Sequence, residues 1–384
     1  MHFWKNFYVL FATYTLLTIG ASLQKYVLSL SEGEASRRHF NNYAIFKSSA
    51  KHLLEGRNLY VPHPEDHDDF YKYSPTFAVL MLPFLWLPEA VGLAVWNLLN
   101  ALTLFIALWL LPLSQEKRAQ MLWLLLPELL INIQNSQSNG LVAACMVLAF
   151  VAIEKEKMQW AMLASVLSGF VKVFGIVSAL FAVFSKEKIK AVWYGVVWAV
   201  GLAITPLCVT SLENLLSQYR HWIEFVRGDL APGTSASIFG WWQAWWGSEP
   251  PRAYLMMLGV GLLVLPLVQI EKYRLASFRL TYLAHLLIWS VIFNPRAESP
   301  SFVIAMSGIV IWFVIQRKGI LDWLLFLNAL FLASILPSDL TPNAWTEFGW
   351  RFKLKAFGVM LVWAKVLYDL FADSLQEERL QTAS

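Results

Sequence analysis

The stretch "YLAHLLIWSVIFNPRAESPSFVIAMSGIVIWFVI", Tyr282 to Ile315, decides the fold. Two apolar runs of helical length flank a short loop that carries Arg296 and Glu298. Both runs read as membrane spans, because only a helix satisfies its own backbone hydrogen bonds in a lipid interior. The whole composition agrees. Apolar residues make up 58% of the 384-residue chain and charged residues 15%, with a mean hydropathy of +0.52, far from the usual balance of soluble domains. The net charge of +4 is too small and too scattered for a nucleic-acid partner, and basic residues in such a chain report topology. Cys145 and Cys208 both fall in apolar runs, so neither a disulfide framework nor a cysteine metal site is expected.

Similar runs recur along the chain, at about 7–28, 90–112, 120–133, 139–154, 159–171, 173–184, 190–210, 253–270, 280–293, 301–316, 319–336 and 354–371. The first lacks a small-residue cleavage site and is read as a retained span. The expected fold is all-α: one polytopic helical membrane domain over 1–384 with about 12 transmembrane helices and a structured external loop at 25–88. If Lys5 is cytoplasmic, the short basic loops "SQEKRAQ", "EKEKMQ", "SKEKIK", "EKYRLASFR" and "QRKG" share its side, as does the tail "LQEERLQTAS". Both termini are then inside.

The opposite face receives the long stretch from Lys25 to Pro88, "NIQNSQSNG", Lys172, the region from Ser211 to Arg252, "NPRAESP" and "PSDLTPNAWTEFGWRF". This polar and aromatic face is the expected functional one, outside the cytoplasm. In its first loop, "NNYAIFKSSAKHLLEG" reads as a helix lying on the membrane, with Asn42 as its cap and Gly56 at its end. "SPTFAVLMLPFLWLPE" is too short to span and reads as a re-entrant or surface piece. Phe77, Leu80, Phe84 and Trp86 there are expected to wall a groove open to lipid.

Several stretches, in order, carry a resemblance: "NNYAIFKSSAKHLLEGRNLY", "YKYSPTFAVLMLPFLWLP", "SQSNGLVAACMVL", "ASVLSGFVKVFGIVSALFAVFSKEKIK", "SASIFGWW" and "NPRAESPSF". Together they resemble glycosyltransferase family 87, of the GT-C membrane glycosyltransferases. The resemblance implies inverting, metal-independent transfer of a hexose, mannose by analogy, from a polyprenyl-phosphate sugar to a lipid or glycan acceptor outside the cytoplasm. It implies a multi-pass protein of the plasma membrane and no cofactor. The chemistry requires a base for the acceptor hydroxyl, cations for the phosphate and an apolar path for the lipid.

Lys172 stands where the family has a lysine, usually followed by proline; here Val173 follows. Its reading as a phosphate contact stands beside that of an ordinary interfacial anchor. Gln137 and Asn139 match a Gln-x-Asn pattern, either holding sugar hydroxyls or capping and bridging helices. Tyr73, Ser235, Ser237, Trp241 and Arg296 complete the expected substrate contacts, although a tryptophan in "GWWQAWWG" is more commonly part of an interfacial belt. "HPEDHDDF" brings together His63, Glu65, Asp66, His67, Asp68 and Asp69, but a solvated acidic loop is the commoner meaning and no bound metal is expected.

One departure bears on catalysis. The family pattern Asp-x-x-x-Tyr supplies the expected base, and its aspartate is here Asn42, an amide that accepts no proton at neutral pH. Asn42 then positions a hydroxyl or caps its helix. The base falls to Asp66, Asp68, Asp69 or Glu298, and the short loop around Glu298 favours the last. A catalytically silent relative, or a lipid or sugar transporter on the same scaffold, is the alternative reading, although the paired broken helices common in transporters are not evident.

Overall fold

The computed structural model describes residues 3–31, 39–228, 235–316 and 318–372. The tail Leu375–Ser384, expected on the cytoplasmic side, lies outside the described residues. Among the described residues the chain is helical, with no strand. Each expected run coincides with a helix, but lengths differ from a simple set of spans. Three helices are long and apolar enough to cross a membrane: α1 (Phe7–Ser31), α4 (Glu89–Trp109), and α8 (Lys188–Ile204) with its continuation to Cys208. Others are shorter; the 14 residues of α7 (Met158–Val171) rise only about 21 Å against a hydrocarbon core of about 30 Å.

The chain divides into two compact units, one of Phe11–Ala107 with Asn132–Leu230 and one of Met1–Leu10, Leu108–Ile131 and Ala231–Ser384. In the first, α2 (Asn41–Leu54) packs on α3 (Pro75–Leu80) and on the 3₁₀ turn Leu82–Trp86. Six residues of α3 rise about 9 Å, so this piece does not span. Ser74 caps it, accepting from the Phe77 amide at 3.3 Å and donating to the Phe170 carbonyl at 2.6 Å. Phe46 is the hub of an aromatic cluster, with ring centroids 4.9 Å from Tyr73, 5.2 Å from Phe77 and 5.4 Å from Trp96. Of the expected groove wall, Phe77 and Phe84 are buried, while Leu80 and Trp86 are exposed. The N-cap of α2 is Phe40, so Asn42 sits inside the first turn rather than at the cap. Its carboxamide is thereby released for a distant partner. Gly56, at φ +69°, follows the helix in the left-handed conformation that glycine tolerates.

α6 (Asn139–Glu154) and α7 pack on one another, and the chain then folds back as a 3₁₀ helix over Val173–Phe184 with Lys172 at the bend, in extended conformation. Gly175 permits this return. A Cβ there would lie 2.1 Å from Ser168 Oγ and 2.8 Å from the Ser168 backbone carbon. Gly175→Ala is therefore expected to cost about 1–3 kcal/mol through overpacking, read as a lowered thermal midpoint. Gly201→Ala, where nothing lies within 4 Å, is the matched control and is expected to leave the midpoint near wild type.

The second unit is centred on α12 (Ala276–Ile292) and α13 (Phe302–Ile315), which pack along their length and are buried almost throughout. α16 (Leu354–Phe371) lies against α12, and Trp312 Nε1 donates to Asp369 Oδ2 at 2.8 Å. α14 (Ile320–Leu330) ends in a π turn, Phe331–Ile335. α5 (Gln115–Gln134) carries Glu128 on the portion that belongs to this unit.

Candidate functional site

Residues far apart in the sequence converge at the turn Asn135–Ser138, between the end of α5 and the start of α6. Lys172 Nζ donates to Asn139 Oδ1 at 2.7 Å and reaches Gln137 Oε1 at 3.5 Å. Tyr73 donates its hydroxyl to Gln137 Oε1 at 3.1 Å, and the Lys172 ammonium stands 5.7 Å from its ring centroid, within cation–π range. Asn42 Nδ2 donates to the Asn135 carbonyl at 2.9 Å. Five expected site residues, Asn42, Tyr73, Gln137, Asn139 and Lys172, thus form one polar cluster.

The turn carries polar groups left unsatisfied among the described residues. Ser136 adopts φ +50°, unusual for a residue with a side chain, and is held by Trp96 Nε1 donating to its carbonyl at 2.8 Å. Ser136 Oγ, Ser138 Oγ and Asn139 Nδ2 are all buried, and none has a hydrogen-bond partner among the described residues. Each such group costs about 1–3 kcal/mol when buried and unpaired. Three of them beside an ammonium and the start of α6 suit a ligand rich in acceptor oxygens.

The acidic loop is a folded network. Asp66 Oδ2 lies 2.8 Å from His52 Nε2 and 3.8 Å from Lys51 Nζ, Asp69 pairs with Lys72 at 3.1 Å, and the Asp68 amide donates to Asn41 Oδ1 at 3.0 Å. Glu65, Asp68 and Asp69 are exposed, as expected of an acidic loop, and the hydrogen bonds and ion pairs order it. His52, His63 and His67 are buried beneath it, and His52 pairs with Asp66. Burial of Asp66 works against ionisation, but the His52 hydrogen bond and the Lys51 charge outweigh it and hold the carboxyl below its usual range. Burial likewise keeps the His52 imidazole below its usual pKa, against the pull of Asp66.

In the other unit the loop after α12 meets the segment before α10 (Ile238–Trp246). The Ala236 amide donates to the Ala297 carbonyl at 2.7 Å, the hydroxyls of Ser235 and Ser237 lie 2.6 Å apart, and Ser235 Oγ reaches the Asn294 carbonyl at 3.4 Å. The Arg296 amide donates to Asn294 Oδ1 at 3.0 Å. Glu298 is exposed and opens the turn Ser299–Ser301 as its N-cap, its amide donating to Ser301 Oγ at 3.3 Å. The structure therefore gathers Ser235, Ser237, Arg296 and Glu298. Trp241 stacks on Phe357, 6.0 Å away at an interplanar angle of 13°, which commits one ring face to packing.

The family model of glycosyltransferase family 87 matches residues 70–338. The chain belongs to glycosyltransferase family 87. Its membership makes it a membrane glycosyltransferase. The matched span includes Tyr73, Gln137, Asn139, Lys172, the Ser235–Trp241 segment, Arg296 and Glu298, and leaves out Asn42, Asp66, Asp68 and Asp69. Comparison with curated proteins gives no match.

The transferase also holds a buried pair that reading the sequence missed. Lys355 Nζ donates to Glu128 Oε1 at 2.8 Å and to Ser299 Oγ at 3.1 Å, while Ser334, in the π turn, donates to Glu128 Oε2 at 2.9 Å. The pair anchors the turn next to Glu298. Ala236, Leu336, Trp350, Lys353 and Lys355 line a cleft beside it, with Lys353 at φ +51°. The available signal was a glutamate inside the apolar run "LLLPELLINI", since an ionisable group at membrane depth requires a partner.

Proposed function

We propose that this family 87 member transfers a hexose, mannose on the family analogy, from a polyprenyl-phosphate sugar to a lipid or glycan acceptor outside the cytoplasm. The observation that carries the reading is the set of unsatisfied buried donors around Lys172. A phosphate diester with its sugar offers the oxygens that Asn139 Nδ2 and the Ser136 and Ser138 hydroxyls lack among the described residues, beside the positive charge of Lys172. Gln137 and Tyr73 hold the lysine in place. In the reaction the acceptor oxygen attacks the anomeric carbon in line as its bond to the phosphate oxygen breaks. Configuration inverts, the acceptor proton passes to a carboxylate, and polyprenyl phosphate leaves as the anion. Neither metal nor cofactor is required by this scheme.

We assign the base to Glu298. Asn42 is an amide, Asp66 is engaged by His52 and Lys51, and Asp69 by Lys72; the Glu298 side chain caps the short turn before α13 by accepting from the Ser301 amide, which fixes an exposed carboxylate in place. Arg296 is assigned to the donor phosphate, and Asp68 is kept as the exposed alternative in the first loop. A catalytically silent sugar-lipid-binding relative is the second reading. It is favoured by Asn42, whose Nδ2 makes a hydrogen bond to the Asn135 carbonyl that an aspartate could not make. Turnover separates the two: a transferase releases polyprenyl phosphate in step with product, and a silent relative binds the donor without consuming it.

The topology belongs to the same proposal: about twelve spans in the plasma membrane, GT-C-like, with both termini cytoplasmic and Lys172, Arg296 and Glu298 at the outer face. Single cysteines placed at 296 and 318 test it. An impermeant thiol reagent added to intact cells is expected to label position 296 and spare 318. The reverse pattern would overturn the arrangement.

A further inference from the structure

α2 and the first loop bring three imidazoles and two carboxylates together in a segment that precedes the family-matched region. The His52 and His63 rings lie 3.9 Å apart, and His67 lies 6.2 and 5.9 Å from them. One ligand atom each from His52, His63 and Glu65 falls within 4.8 Å of the others. His63 Nδ1 and Glu65 Oε1 are 3.5 Å apart, close to the edge of a tetrahedron with metal–ligand bonds of about 2.0–2.1 Å. The Asp66 carboxylate adjoins His52 Nε2 at 2.8 Å.

The outer shell is arranged as metal sites arrange it. His63 Nε2 donates to the Asn58 carbonyl at 2.8 Å, which fixes the tautomer and leaves the Nδ1 lone pair facing the cluster. That lone pair and Glu65 now share one cation, the Arg57 guanidinium, whose Nη2 bonds both. Arg57 is partly exposed, at 37%, so its head can leave for solvent. His67 packs beside the pair as a third buried imidazole. It is 3% exposed, and its Nδ1 has no hydrogen-bond partner among the described residues.

We propose that His52 Nε2, His63 Nδ1 and Glu65 form a structural Zn²⁺ site in which the metal takes the place held by the Arg57 guanidinium, with Asp66, next to His52, moving in as the fourth ligand. Two neutral imidazoles and two carboxylates neutralise a divalent ion, and imidazole with carboxylate is a donor set that zinc accepts in four-coordinate geometry. On binding, the His52 Nε2 proton moves to Nδ1 and Nε2 becomes a ligand. The ion would staple the loop Arg57–Asp69 to α2, whose first turn carries Asn42. It takes no part in the transfer chemistry, so this inference stands apart from the proposed function.

The test uses the purified full chain, stripped with a chelator, reloaded with Zn²⁺ and desalted. Bound zinc is measured by elemental mass spectrometry and stability by thermal unfolding. One zinc per chain and a raised midpoint are expected. Glu65→Gln changes an exposed residue and leaves the fold intact. It and His63→Ala should each weaken zinc binding by at least about 100-fold, beyond the 10–100-fold typical of losing an outer partner. Arg57→Gln, which removes the competing cation, is expected to bind zinc as tightly as wild type or tighter. Absence of stoichiometric zinc in both wild type and Arg57→Gln would overturn the proposal, as would full retention of zinc by Glu65→Gln and His63→Ala.

Discussion

Lys172→Ala is expected to lower kcat/KM for sugar transfer by about 10²–10³-fold, the cost of removing one preorganised donor from a charge that grows in the transition state. The leaving phosphate gains negative charge as the anomeric carbon–oxygen bond breaks. An ammonium held by Asn139 Oδ1 at 2.7 Å, on a bend fixed by the Gly175 return, meets that charge without rearranging. Because the charge develops in the transition state, kcat should fall more than KM rises. Lys172→Arg keeps the charge but not the compact ammonium that fits the two amide oxygens, so recovery should be partial. Initial rates with a polyprenyl-phosphate sugar check this. Wild-type rates in Lys172→Ala would reduce the residue to an interfacial anchor.

Glu298→Gln is expected to lower kcat by about 10²–10⁴-fold, the usual contribution of a general base, with donor binding nearly unchanged. Glutamine keeps the size of the side chain and an oxygen to cap the Ser299–Ser301 turn, so the fold should survive. Burst measurements of donor binding separate the lost proton transfer from a lost site. Asp66→Asn and Asp69→Asn should retain most activity. If either of these abolishes transfer while Glu298→Gln does not, the base lies in the first loop and Glu298 is a turn-capping residue.

The parts of this protein that were legible in its sequence are those set by local chemistry. A lone lysine between apolar halves, and amides opening an apolar run, are expensive at membrane depth unless they meet. Lys172, Asn139, Gln137 and Tyr73 do meet. Gly56 ended its helix because the left-handed turn there suits glycine. What stayed hidden depends on tertiary pairing. Glu128 and Lys355 are 227 residues apart, each embedded in an apolar run, and nothing in either run names the other. Only the fold of the loop over α2 brings His63 and His67 beside His52. The cap of α2 is Phe40, two residues before the Asn42 expected from the sequence, and this frees the Asn42 amide to reach Asn135.

The most direct test of the central claim is a donor-consumption assay on purified protein with labelled polyprenyl-phosphate mannose and a membrane lipid extract as acceptor. Polyprenyl phosphate and a mannosylated product should appear in equal amounts with wild type and fall to background with Lys172→Ala. Consumption of a nucleotide sugar in the same extract, with the polyprenyl-phosphate donor left intact, would contradict the account.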